Sequence, residues 1–267
     1  MKKASAAGFL AALVLGAAAT APAQTAQDVL AKMIDAQGGR KVLESLRDST
    51  AKGALDLVSM GMSGSVTIYQ KEPNKMRMDI EVMGTTITQA TDGATAWFTN
   101  PQTGAVEEMA GRQAEDFKRQ ALGFEAVLSP EKFGLSVVLK GREKIGTKEY
   151  LVLEQAFKDG PTSMIYVDPA THLTFKVKGT ATDLTGAEVE TETVTEDYRK
   201  VGGTMAAHKM TVFQNGAEFV RILFTEFGFN AGLEDSLFQK PKPPVRPSRS
   251  DGGHRRPAGG PEAPPRR

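Results

Sequence analysis

Residues 69–104 read YQKEPNKMRMDIEVMGTTITQATDGATAWFTNPQTG, and the periodicity of this stretch decides the fold. Met76, Met78, Ile80 and Val82 alternate with Arg77, Asp79 and Glu81, which gives one strand a dry face and a wet face. The next run carries Ile87 and leads through Asp92-Gly93, a hairpin-type turn, to Trp97-Phe98, which includes the chain's one tryptophan. Asn100-Pro101-Gln102-Thr103-Gly104 closes the stretch as a further turn. Three or four short strands joined by tight turns are predicted here.

The same period extends in both directions. Upstream, residues 51–57 and 64–69 read as neighbouring strands around a flexible Met60 to Gly64. Downstream, strands are predicted at 135–140, 148–157, 162–167, 172–182, 187–198, 205–214 and 218–229. Turn signals such as Asp168-Pro169, Gly202-Gly203 and Asn215-Gly216 separate them. A spacing of about ten residues per strand without intervening helices implies one antiparallel sheet in up-and-down order, about ten strands long. A sheet of that size curls into a barrel or an incomplete one.

Helical patterning interrupts the strands twice. Thr25 to Gln37 places Val29, Leu30, Met33 and Ile34 at helical spacing before Gly38-Gly39, and Arg40 to Leu46 continues as a shorter turn. Residues 110–122 put Ala114, Phe117, Ala121 and Leu122 on one side, and a second segment runs from Phe124 to Leu128. Such an insertion in a run of strands covers one open face of a sheet.

The ends differ from the body. Lys2-Lys3, a small apolar run from Ala6 to Ala19, and Ala21-Pro22-Ala23 predict a cleaved secretory leader over residues 1–23, and hence an exported, periplasmic protein. The alternative is an N-terminal anchor, for which the run is short. Residues 24–240 form the predicted β domain. Residues 241–267, rich in Pro, Gly and Arg, predict a disordered basic tail. The net charge of +1 hides an acidic body, because eight basic side chains face only two acidic ones from Lys240 onward. An acidic body argues against a nucleic-acid partner. The tail predicts weak, salt-sensitive contact with an anionic membrane surface.

The sequence offers little chemistry. With no cysteine there is no disulfide, thiolate metal site, cysteine nucleophile or attached lipid. Gly141 to Lys148 has the glycine spacing of a phosphate loop but ends Thr-Lys and lies between strands, so it reads as a turn. His172, His208 and His254 stand far apart, and no metal site or cofactor is indicated. Glu188, Glu190 and Glu192 share a sheet face that reads as solvated. No pair of groups meets the geometry of catalysis, so the chain reads as a non-enzyme. What remains is apolar. Met76, Met78, Ile80, Val82, Ile87, Trp97, Phe98, Phe117, Leu122 and Phe124 are the candidate ligand-binding residues of sheet face and lid, and the competing reading is that they fill a closed core.

Several local patterns resemble a known family. They are Pro73-Asn74-Lys75-Met76-Arg77, Asp92-Gly93 before Ala96-Trp97, Asn100-Pro101, and Tyr166-Val167-Asp168-Pro169 through Leu173. Asp197 to Gly203, and Asp235-Ser236-Leu237-Phe238 before Lys240-Pro241, belong with them. Together they resemble the LolA-like proteins, the outer-membrane lipoprotein-sorting and carrier superfamily, over roughly residues 26–241. The resemblance implies an unclosed antiparallel β-barrel with an apolar concave side capped by helices. It further implies a carrier or sorting factor that binds lipid acyl chains or lipoproteins. The alternative is an envelope signalling or protein-interaction module using the same sheet. The chain lacks the attachment cysteine of the lipid-anchored receptor and is longer than the standard carrier. No residue here matches the carrier's lid-locking arginine.

Overall fold

The computed structural model describes residues 24–158, 160–183 and 186–242. The expected leader lies outside the described residues, as do residues 243–267 of the expected tail. No helix among the described residues is long and apolar enough to cross a membrane.

Thirteen strands form one antiparallel sheet. In chain order they are β1 (Asp48–Leu57), β2 (Met62–Lys71), β3 (Lys75–Val82), β4 (Thr85–Thr91), β5 (Ala96–Thr99) and β6 (Val106–Glu108). There follow β7 (Leu135–Ile145), β8 (Lys148–Phe157), β9 (Thr162–Val167), β10 (Thr174–Thr182), β11 (Glu188–Val201), β12 (Thr204–Gln214) and β13 (Ala217–Phe229). The spatial order is β6-β5-β4-β3-β2-β1-β13-β12-β11-β10-β9-β8-β7. The first strand therefore pairs with the last, from Ser49↔Phe229 to Leu57↔Val220. The free edges are β6 and β7, two strands that follow each other in sequence. The result is the expected unclosed barrel, with its gap where the helical insertion leaves the sheet.

Two details depart from the sequence reading. The strands number thirteen rather than about ten, partly because β6 is three wholly exposed residues that carry no alternation signal. Gly141 to Lys148 is mostly strand rather than turn. A bulge between Leu139 and Gly141 carries β7 on to Ile145, and only Gly146-Thr147 turns the chain.

The register sets one apolar face. At one level of the sheet Met62, Leu57, Val220, Val212, Thr193, Val177, Ile165, Leu153 and Leu139 stand side by side. This is the inner face. Helix α1 (Ala26–Ala36) starts on a capping box, with Asp28 N–H donating to Thr25 Oγ1 at 3.2 Å and Thr25 N–H to Asp28 Oδ2 at 2.8 Å. It buries Ala26 and Val29 against Leu151, Leu153 and Val167. Helix α2 (Arg40–Ser45) adds Leu43, which with Ile34 and Leu46 packs against Phe229, Phe124 and Leu128. Helices α3 (Gly111–Gln120) and α4 (Phe124–Leu128) form the insertion.

The outer face of β3–β5 has its own cover. After β13 the chain turns back at Asn230, and the buried Asp48 carboxylate accepts N–H bonds from Ala231, Gly232 and Leu233 at 2.7, 3.0 and 3.2 Å. Asp235 then pairs with Lys71 and Lys75 at 2.7 and 2.8 Å. Arg77 Nη1 donates to Leu237 O at 3.2 Å, and Trp97 Nε1–H donates to Phe238 O at 2.9 Å. Residues 230–240 thus strap the outer face, with Phe238 fully buried and Trp97 2% exposed.

Candidate ligand site

A cavity of about 370 Å³ lies between the inner face of β7–β10 and the helices. Its strand wall comprises Leu135 and Val137 of β7, Gln155 and Phe157 of β8, Ser163 and Ile165 of β9, and Val177 and Ala181 of β10. Leu30 and Met33 of α1 close one side. Asp116 and Arg119 of α3, Leu122, and Ala126 and Val127 of α4 close the other. Side-chain size explains why space is left here. Ser163, Gly179 and Ala181 occupy inner positions on β9 and β10, where a Cβ built on Gly179 would stand 3.0 Å from Ser163 Oγ. Small side chains leave a hollow that the neighbouring Val177 and Ile165 do not fill.

Three anchors hold the helical roof. Phe117 of α3 packs on Ala96, Met76 and Phe98 of the β3–β5 wall. At the preceding position of the same helix, about 100° round its axis, the buried Asp116 carboxylate accepts Thr182 N–H at 3.0 Å and Thr182 Oγ1–H at 2.6 Å, and also pairs with Arg119. Helix α3 therefore spans the barrel between its two walls. The third anchor is Glu72, which accepts the N–H groups of Phe124 and Glu125 at 2.8 and 3.2 Å. Burial pushes its carboxyl above the ordinary range, while those two N–H groups pull the other way. The approach is close enough that a Cβ on Gly123 would lie 2.1 Å from Glu72 Oε1, so a larger residue there would push the carboxylate off these N–H groups.

The structure separates the candidate residues named from sequence. Leu122 lines the cavity. Met78, Ile80 and Val82 lie on the inner face and pack with Leu55, Val66, Ile222 and Phe224. Ile87 pairs with Ile80 on that face. Met76, Phe98 and Phe117 form the contact between β3, β5 and α3. Phe124 packs with Ile34, Leu43 and Leu46. Trp97 points to the opposite, outer face beneath the strap. The cavity wall residues Val137, Phe157, Ile165 and Val177 come from strands whose alternation was legible. Their signal was the run of small inner residues on β9 and β10.

The polar candidates find ordinary partners. Glu188 pairs with Arg112, Glu190 with Lys178 at 3.9 Å, and Glu192 with Lys176 at 3.1 Å, all on the outer face. His208 lies against the Phe227 ring at 4.9 Å between centroids, and His172 sits in the β9–β10 turn. Among the described residues no group of His, Asp and Glu could hold a metal ion.

The architecture is an open antiparallel barrel with a helical roof over an apolar hollow. No family model matches the sequence, and no curated protein is similar to it. Solved structures are similar in shape. A DUF1329 family protein from Desulfovibrio piger is 16% identical with a TM-score of 0.54, over 80% of this chain and 97% of that one. An outer membrane lipoprotein-sorting protein domain from Vibrio parahaemolyticus gives the same values. A LolA superfamily protein from Nitrosomonas europaea is 15% identical with a TM-score of 0.54, over 82% and 99%. The chain has the LolA-like fold.

Proposed function

We propose that the protein is an exported, non-catalytic carrier or sorting factor that holds an acyl chain of a lipid or lipoprotein beneath α3 and α4. The observation that carries this reading is the apolar hollow of about 370 Å³ roofed by the inserted helices. At roughly 30 Å³ per water-sized group it accommodates about a dozen methylene units, one chain rather than several. At ~0.8 kcal/mol per buried methylene, such a chain gains about 10 kcal/mol before ordering costs. Leu122 contacts it at the roof. Met76, Met78, Ile80, Val82, Ile87 and Phe98 continue the same inner face as its packed, filled part, and Phe117 and Phe124 hold the roof in place. Trp97, on the far side of the sheet, keeps a structural role in this reading. The basic tail adds a weak, salt-sensitive attraction to anionic headgroups.

Solvent extraction of purified protein followed by mass spectrometry tests the reading. Acyl-bearing species at near-stoichiometric yield, and displacement of an apolar fluorescent probe by free fatty acid, are expected. A protein that yields no lipid and binds no probe, yet captures an envelope protein, would instead support the interaction-module reading.

A further inference from the structure

The end of the sheet where β1 and β3 finish carries two tips of unusual composition. Met83 is 85% exposed, Met60 61% and Val58 40%. Val58–Met60 is a single 3-10 turn between β1 and β2, closed by Gly61 at φ +61°. Met83-Gly84 is the two-residue turn between β3 and β4, with Val82 pairing Thr85. The tips are neighbours, because Leu57 pairs with Met62 and Gly64 with Val82.

Turn chemistry does not explain the methionine. Both central residues have positive φ, +51° at Met83 and +76° at Gly84, the geometry that selects Asn, Asp or Gly. The sister turns of this sheet obey that preference, with Asn215-Gly216 at +48° and +80° and Gly202-Gly203 at +58° and +92°. Among the described residues with positive φ, only Met83 carries a long apolar side chain, and it is 85% exposed. A violated local rule without a packing gain marks a surface in use.

The strand ends around the cavity belong to the same end of the sheet. The register leads from Leu57–Val220 through Gln214–Ala217 and Thr182–Glu188 to Phe157–Leu135. Three side chains on two tips make a patch far below the roughly 1,200 Å² of a stable protein interface, but enough for shallow insertion among lipid headgroups. Beside the tips, Arg221 pairs with Asp56 at 4.0 Å and with Glu218 at 2.6 Å, and Glu81 next to the Met83 turn is acidic and accepts Ser65 Oγ–H at 3.3 Å, so no unpaired cation among these groups draws in an anionic headgroup. Such a patch has no preference for anionic lipid.

We infer that Val58, Met60 and Met83 form a lipid-surface contact by which the barrel end touches a bilayer, independently of headgroup charge. It is separate from the cavity reading, since vesicle binding and probe binding report on different residues. The test is flotation of the chain from Gln24 onward, which holds the whole sheet and core, with vesicles of phosphatidylcholine alone. Binding is expected to survive about 1 M NaCl, where the Debye length is about 3 Å. The Met60→Ser/Met83→Asn double variant should lose about tenfold in vesicle affinity. Met83→Asn alone should melt no lower than the parent while binding less, because it restores the favoured turn residue. Equal flotation of the double variant would overturn the inference. So would binding that requires anionic lipid and is released by salt, which would assign membrane contact to the basic tail.

Discussion

The inner face of the barrel differs between its two halves. Over β1–β3 and β13 it carries Leu55, Val66, Ile68, Met78, Ile80 and Phe224, large side chains that pack on one another without help from a helix. Over β8–β10 the equivalent positions include Ser163, Gly179 and Ala181, and helices roof the space that results. The backbone is the same antiparallel ladder in both. Side-chain volume alone turns one half into core and the other into a hollow, because interiors pack densely wherever the volumes allow it.

The halves also differ in what covers their far sides, and this gives the largest expected effect. Phe238 is fully buried and its carbonyl takes the Trp97 indole N–H. Phe238→Ala should cost about 3–5 kcal/mol in denaturant melts and shift Trp97 emission to the red, while leaving probe binding in the remaining folded protein intact. A variant that melts normally would show that the strap is dispensable to the filled half.

The roof is next. Asp116→Ala strips three donors of their acceptor, two on Thr182 and one on Arg119, and should destabilise by about 1–3 kcal/mol. Hydrogen exchange should accelerate over residues 111–128 and not over β1–β3. Uniform acceleration would mean that roof and sheet open as one unit.

The smallest effect is set by pH. Lys71 and Lys75 hold the exposed Asp235 carboxyl at about 2, below its ordinary 3.8. A depressed carboxyl lends stability that is complete above 3.8 and is lost as pH falls through about 2. The strap should therefore shield Trp97 from acrylamide unchanged down to about pH 4 and release it progressively as pH falls from there through about 2. Asp235→Asn should remove that pH dependence.

How much of this was legible follows from the same contrast. Alternation in Met76 to Val82 gave the face split correctly, and turn chemistry placed most hairpins. Periodicity reports which side of a strand is dry, but not whether facing side chains together fill the space behind it. The cavity therefore escaped a reading that sought large apolar residues, because it is defined by small ones. Trp97 lay on the other face because its cover comes from Phe238, 141 positions away, and no local pattern encodes so distant a partner. The order of β1 beside β13 was equally non-local. The helical insertion, by contrast, was plain from Ala114 and Phe117 in a chain of strands.

The most direct test of the account fills each half in turn. An apolar fluorescent probe is titrated into the wild type, Ser163→Phe and Ala181→Trp on the hollow side, and Met78→Phe on the filled side. The account predicts saturable binding to the wild type and to Met78→Phe, and a loss of more than about tenfold in the two cavity-filled variants, all four folding normally. Equal binding by Ser163→Phe, Ala181→Trp and the wild type would contradict it.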